Sequence, residues 1–193
     1  MTYRTTAQFN ADKSKGQKAE KTFMELIALM GGTAYYIGKV PGQFDEAPRF
    51  SRPHPVAEEG FCYSVAPDIA FSLPDRPRGF SCLAQVKVKK VGYENGQAKQ
   101  HILLDEKELH RMRVAHQFYD VFFVIHLPQF SEFPDQIDWA WIGVEELLNT
   151  NLVKRQIQNK PTFLIPFHLF KPLSQLNRWI PNEPANSNTA PTS

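Results

Sequence analysis

Two apolar runs joined by a turn-forming segment constrain the fold of this chain more than any other feature. The runs are residues 69–73 (IAFSL) and 80–88 (FSCLAQVKV), and the segment between them reads PDRPRG. Prolines and glycine between two such runs predict a β-hairpin. A hairpin folded near position 76 or 77 places Asp68 across from residues 85 and 86. Gln85 and Lys87 are two positions apart on a strand, so they share one face.

This hairpin brings together a carboxylate, an amide and an ammonium group on strands that are otherwise apolar. Polar groups inside a sheet are costly unless they have a partner. Carboxylate and amide oxygens are hard ligands that suit Mg²⁺, whereas an ammonium group attracts a phosphate. We therefore expect Asp68 and Gln85, with the backbone carbonyl of Val86 as a further ligand, to bind a divalent metal ion, and Lys87 to contact a negatively charged substrate beside it.

A helix before the hairpin contributes one more acid. A capping-box pattern at Ser14 predicts a helix over residues 15–30. Glu20 lies next to Phe23 on the apolar stripe of this helix, at the edge of its inner face. An acid in that position needs a partner. Either it forms a salt bridge to Lys87 or an arginine, or it joins the metal site, which is the role we favour.

The remaining pattern completes an α/β domain. Further strands are predicted over residues 33–40, 101–103, 121–127, 138–142 and 162–165, and helices over 105–119, 144–149 and 172–178. The order helix, three strands, helix, strand (αβββαβ) indicates a central mixed β-sheet flanked by helices, since the hairpin is antiparallel. We expect a flexible N-terminus at 1–13, one domain over 14–180, a long loop at 41–60, and a disordered tail at 181–193.

Composition narrows the function class only slightly. The chain has 193 residues, a net charge of +2 and two cysteines, with no zinc-ligand spacing. No run has the length of a membrane span or the pattern of a signal peptide, so a cytoplasmic location without membrane partners is the expectation. Clusters of basic residues flank the predicted site. Lys18, Lys89 and Lys90 are the lysines that we expect to contact nucleic acid.

The combination of these motifs resembles the PD-(D/E)xK nuclease superfamily. The resemblance rests on Pro67-Asp68, on Gln85-Val86-Lys87 at a hairpin distance, and on Glu20 in the preceding helix. It implies a restriction-endonuclease-like core over residues 15–127. Glu20, Asp68, Gln85 and Lys87 would then be catalytic, and Glu20, Asp68, Gln85 and Val86 would bind the metal ion.

The resemblance also implies an activity. Members of this superfamily hydrolyse phosphodiester bonds in DNA, and sometimes in RNA, with Mg²⁺ or Mn²⁺. Many are homodimers, because two strands need two sites. The apolar strands after Asp138 are the candidate for such an interface. This chain departs from the pattern at Gln85, where an acid is usual, and the substitution removes one negative charge from the site.

Two other functions are compatible with the sequence. The chain could be a catalytically decayed nucleic-acid-binding protein of the same fold, because Gln85 weakens ion binding. It could also be a structural or assembly protein that reuses an α/β fold. The convergence of four polar residues on one site argues against the second of these.

Overall fold

The computed structural model describes residues 5–37, 67–74, 82–90, 93–94, 97–98, 101–130 and 138–178. The helices are α1 Thr6–Leu29, α2 Glu106–His116 and α3 Val144–Asn149. The strands are β1 Thr33–Tyr36, β2 Ile69–Ser72, β3 Cys82–Val88, β4 Tyr93–Glu94, β5 Gln97–Ala98, β6 His101–Asp105, β7 Asp120–His126, β8 Trp139–Gly143, β9 Val153–Ile157, β10 Lys160–Pro166 and β11 Lys171–Pro172. Within these ranges, no helix is both long enough and apolar enough to cross a membrane.

A six-stranded mixed sheet forms the centre of the molecule. Its order is β1-β2-β3-β7-β8-β11, with β3 and β7 parallel and the other neighbours antiparallel. Helices α1 and α2 pack on opposite faces of this sheet. The predicted fold class, an α/β fold with a mixed central sheet and flanking helices, is therefore confirmed.

The predicted hairpin has the predicted register. Ile69 pairs with Ala84, and Phe71 pairs with Cys82. One position before Ile69, Asp68 consequently faces Gln85. The turn itself lies outside the described residues, but the pairing on either side is that of a hairpin centred near position 76 or 77.

Helix α1 begins at Thr6, well before the start predicted from Ser14, so residues 6–13 are helical instead of flexible. The capping box is formed by Thr5 and Gln8, whose side chains bond each other's backbone N–H groups. The sequence signal was missed because the first turns of α1 carry no apolar stripe. The end of the helix before Gly31 is as predicted.

Helices α1 and α2 each cover one face of the central sheet with an apolar stripe. Phe23 and Ile27 of α1 are fully buried against Phe71, Val86 and Trp139 on one face. Fully burying a phenylalanine or isoleucine contributes about 2 to 3 kcal/mol. On the other face, Leu109, Met112 and Ala115 of α2 pack against a second cluster.

A second sheet, which the sequence did not predict, flanks α2. It has the order β6-β10-β9. Strand β6, which includes the strand predicted at residues 101–103, pairs with β10. Strand β9 escaped detection because nearly all of its side chains are exposed, so it lacks the alternation of a half-buried strand. Strand β8 lies between β7 and β11 with Trp139 and Trp141 buried in the core, so it does not offer an exposed dimer interface.

Three expectations fall on residues that the structure does not describe. These are the loop at 41–60, the tail at 181–193 and the first four residues of the predicted flexible N-terminus. They remain predictions from the sequence.

Candidate active site

The site begins where β2 stops pairing with β3. The last pair of these strands is Ile69 with Ala84, and no described residue pairs with the same edge of β3 from Gln85 to Val88. We call this edge of β3 at residues 85–88, beyond the last described pair with β2, the notch. A residue in a β-strand directs its N–H and C=O to the same side. The N–H of Val86 donates to the Asp68 carboxylate, so the Val86 carbonyl also faces the notch.

Asp68 and Gln85 contact each other directly at the end of the notch. The Nε2 amide of Gln85 donates a hydrogen bond to Oδ2 of Asp68. Gln85 is only 9% exposed, and it is one of two buried polar residues in the described part of the chain. Rotation of this amide by half a turn would present its oxygen to the same space. Gln85 therefore has the means to act as a donor to Asp68 or as a ligand for a cation.

Lys87 lies on the same sheet face as Asp68 and Gln85, the face covered by α2. Its ammonium forms an ion pair with Oε1 of Glu108, at a distance of 3.0 Å. The two side chains are 34% and 24% exposed, so the pair is partly accessible to solvent. Glu108 is not among the site residues predicted from the sequence, because an acid three positions after Asp105 has the spacing of a capping box. In the structure the Asp105 side chain caps the helix through the N–H of Lys107, and Glu108 turns toward β3.

Glu20 approaches from α1, which covers the other face of the sheet. The pKa of Glu20 is raised from its usual 4.5 to about 7, mainly by burial and secondly by the charge of Asp68, while the charge of Lys87 partly offsets these effects. Burial, followed by the charges of Glu20 and Asp68, also raises the pKa of Tyr36. Glu20 is thus electrostatically coupled to Asp68 and Lys87 across the notch.

Burial is the main cause of the raised carboxyl pKa values in the site, and the neighbouring charges act in both directions. Burial raises the pKa of Asp68, and Glu108 adds to this effect, whereas Lys87, the Val86 N–H and Arg111 oppose it. Burial alone would lower the pKa of Lys87, but the charges of Glu108, Asp68 and Glu20 outweigh it and raise that pKa. Such an arrangement favours a positively charged ligand.

The donor set fits a magnesium-like ion. Glu20, Asp68, the Gln85 amide and the Val86 carbonyl all present oxygen atoms, and Mg²⁺ binds one or two carboxylates while retaining several waters. In the described part of the chain, no three His, Cys, Asp or Glu side chains are already arranged to enclose a metal ion. The oxygen character of the donor set suits Mg²⁺ better than zinc, which favours His and Cys ligands.

The three lysines expected to bind nucleic acid occupy different environments. The ammonium of Lys89 donates to the Leu103 carbonyl at 2.7 Å and lies 5.9 Å from the ring centroid of Phe123, and burial lowers its pKa. Lys89 is thus engaged within the fold. Lys90 is exposed. Lys18 lines an open groove between α1 and β1 that also includes Tyr36, next to the site.

Comparisons with known proteins identify no family. No protein-family model matches the chain, and no curated protein matches it. Among solved structures, the Holliday junction resolvase Hjc from Archaeoglobus fulgidus is similar at 14% identity and a TM-score of 0.49, covering 87% of this chain and 99% of that one. D212, a nuclease from a fusselovirus, is similar at 12% identity and a TM-score of 0.44, covering 92% of this chain and 94% of that one. Neither likeness is strong enough to carry an argument about the activity of this chain.

Proposed function

We propose that this protein is a divalent-metal-dependent endonuclease that hydrolyses phosphodiester bonds in DNA. The observation that carries the proposal is the register of β2 and β3. It sets Asp68 against Gln85, with Lys87 on the same sheet face, and Glu20 is coupled to the same group of charges. Residues distant in the sequence thus form one polar site at the end of an otherwise apolar sheet.

Each residue has a role that follows from its position. Asp68 and Glu20 would hold Mg²⁺ or Mn²⁺, assisted by the Gln85 amide oxygen and the Val86 carbonyl. A bound ion would supply charge neutralisation at the phosphate and lower the pKa of an attacking water. The Lys87 ammonium, which carries its charge at neutral pH, would bind the scissile phosphate and stabilise the additional negative charge of the transition state.

Nucleic acid would approach along the α1 side of the notch. Lys18 and Lys21 line the groove between α1 and β1, and Lys90 is exposed at the end of β3. Contacts of lysine with phosphate carry no sequence preference, so this arrangement suits backbone binding and gives no basis for a recognition sequence. DNA is the proposed substrate, with RNA as an alternative to be tested beside it.

The test is a cleavage assay on supercoiled, linear and branched DNA, and on RNA, with Mg²⁺ or Mn²⁺ and with EDTA. We expect cation-dependent cutting that is lost in Asp68→Asn and Lys87→Met, with circular dichroism and melting curves demonstrating that both variants fold. If the protein at high concentration cuts none of these substrates, the proposed nuclease activity is refuted.

A second function is favoured by one observation, the neutral Gln85 that donates to Asp68 in place of an acid. A binding protein with a decayed site would retain DNA at low salt, with affinity falling steeply as salt increases, but would not cut it. The same assay, run beside a gel-shift titration in salt, separates these two functions.

A further inference from the structure

Glu108 is a charged contact of the site that the roles above leave unassigned. It lies in the first turn of α2, and the Asp105 side chain already caps that helix. Its Oε1 is 3.0 Å from the Lys87 ammonium. The only residue of the predicted catalytic set that carries a positive charge is therefore held by an acid from a different element.

The need for an acid at this place follows from Gln85. On the face covered by α2, the strands provide one carboxylate, Asp68, and the neutral Gln85 stands opposite it. With Asp68 alone, one negative charge would have to orient Lys87 and hold a cation. Glu108 brings a second negative charge to this face, within contact distance of Lys87.

Glu106, a neighbouring residue on the same helical turn, provides a matched comparison. Glu106 forms an ion pair with Lys154 at 2.5 Å, on the side of the second sheet. Both pairs are partly exposed, and both glutamates lie at the same helix end. Pairs of this kind contribute roughly 0 to 1 kcal/mol to stability. If Glu108 were only a surface pair, replacing either glutamate would have the same small effect.

We propose that Glu108 is a positioning residue of the active site that holds the Lys87 ammonium and supplies the negative charge that Gln85 leaves out. The acidic side chain that is usual at position 85 of β3 is thus replaced by one from helix α2. This inference rests on the proposed nuclease function. It predicts that a negative charge introduced at position 85 can replace the charge of Glu108, because position 85 shares a sheet face with Lys87.

A charge-relocation cycle tests the proposal. The variants are Glu108→Gln, Gln85→Glu and the double variant, with Glu106→Gln as the control. For each we would measure Mn²⁺ affinity by calorimetry, kcat and KM for cleavage, and melting temperature. We expect Glu108→Gln to lower kcat by about 10-fold or more and to weaken Mn²⁺ affinity, with little effect on KM. Adding Gln85→Glu should restore both quantities, whereas Glu106→Gln should leave them within about twofold of the wild type.

Two outcomes would overturn the inference. One is a Glu108→Gln protein indistinguishable from Glu106→Gln in kcat and Mn²⁺ affinity. The other is a folded Glu108→Gln protein whose losses Gln85→Glu does not restore. If Glu108→Gln does not fold, Glu108→Asp takes its place, since it keeps the charge but withdraws it from Lys87; unchanged kcat would then overturn the positioning role.

Failure of this inference is distinguishable from failure of the proposed function. Mn²⁺ affinity requires no turnover, so it can be compared among the variants even if the wild type cuts no substrate. If the wild-type protein cuts no substrate, the proposed nuclease activity is refuted. If the wild type cuts DNA and the Glu108→Gln variant has the same Mn²⁺ affinity and the same rate, only the role of Glu108 is refuted.

Discussion

Replacing Glu20 by glutamine is expected to stabilise the metal-free protein above neutral pH, although it removes a proposed catalytic residue. The folded protein raises the pKa of Glu20 from its usual 4.5 to about 7, mainly through burial. A raised carboxyl pKa means that the folded state binds this proton more tightly than the unfolded state. Ionisation of Glu20 therefore destabilises the folded state. This loss of stability is absent below about pH 4.5, grows as pH rises, and is complete above about pH 7.

The magnitude follows from the size of the shift. The interval between 4.5 and about 7 corresponds to roughly 3 kcal/mol at 1.36 kcal/mol per pH unit. Because Glu20 is only half-buried, solvent screens part of this cost, and we expect about 1 to 2 kcal/mol. Glu20→Gln should therefore gain that much free energy of unfolding near pH 8 and almost none near pH 4.5.

Urea unfolding in EDTA at several pH values measures this difference directly. The control is Glu25→Gln, on the outer face of the same helix, where Glu25 is 60% exposed and lies 3.8 Å from Lys21. We expect that control to change stability by less than about 0.5 kcal/mol at every pH. A difference between wild type and Glu20→Gln that does not vary between about pH 5 and pH 8 would refute the electrostatic account of the site.

Three further predictions test separate parts of the structure. Asp68→Asn should abolish the rise in melting temperature that Mg²⁺ or Mn²⁺ gives the wild type, since the main ligand is lost; scanning calorimetry with and without the ion measures this. Lys87→Met should retain that rise but lose cleavage by about 100-fold or more, measured as kcat; loss of ion binding instead would contradict the role given to Lys87. Gly32→Ala should destabilise the fold by more than about 1 kcal/mol in urea unfolding, because an added Cβ would lie 2.3 Å from the Ser72 carbonyl oxygen, whereas Gly16→Ala should be neutral or stabilising because nothing lies within 4 Å of its Cβ.

The hairpin could be predicted because its constraints are local in sequence. A turn segment fixes the centre of the hairpin, the two-residue period fixes which side chains share a face, and together they set Asp68 opposite Gln85. The position of Glu20 followed from helical spacing relative to Phe23. The coarse fold followed from the order of the elements, because an antiparallel hairpin followed by a helix and a buried strand leaves few arrangements of the sheet.

The part of the site that escaped prediction depends on contacts between distant elements. An acid three residues after Asp105 has the spacing of a capping box, so the local pattern explained Glu108 without a second role. The structure assigns the cap to Asp105 and Lys107 and leaves Glu108 for Lys87. One signal was present: Glu108 precedes the buried Leu109 and lies four positions before Met112, at the edge of the inner face of α2. The same argument that singled out Glu20 applies to it.

The notch accounts for the position of the polar residues. An edge of β3 that β2 no longer pairs leaves backbone groups that need partners, and the Asp68 carboxylate accepts the N–H of Val86 there. Beyond the last described β2–β3 pair, charges from both faces of the sheet come close together, and Glu20 of α1 and Glu108 of α2 both interact with Asp68 and Lys87. Burial raises the pKa of both Glu20 and Asp68, so the folded protein pays a free-energy cost when these carboxyl groups ionise. Lys87 offsets part of this cost, and a bound divalent cation would offset more of it, which is the physical reason that we connect this site with the proposed metal-dependent function.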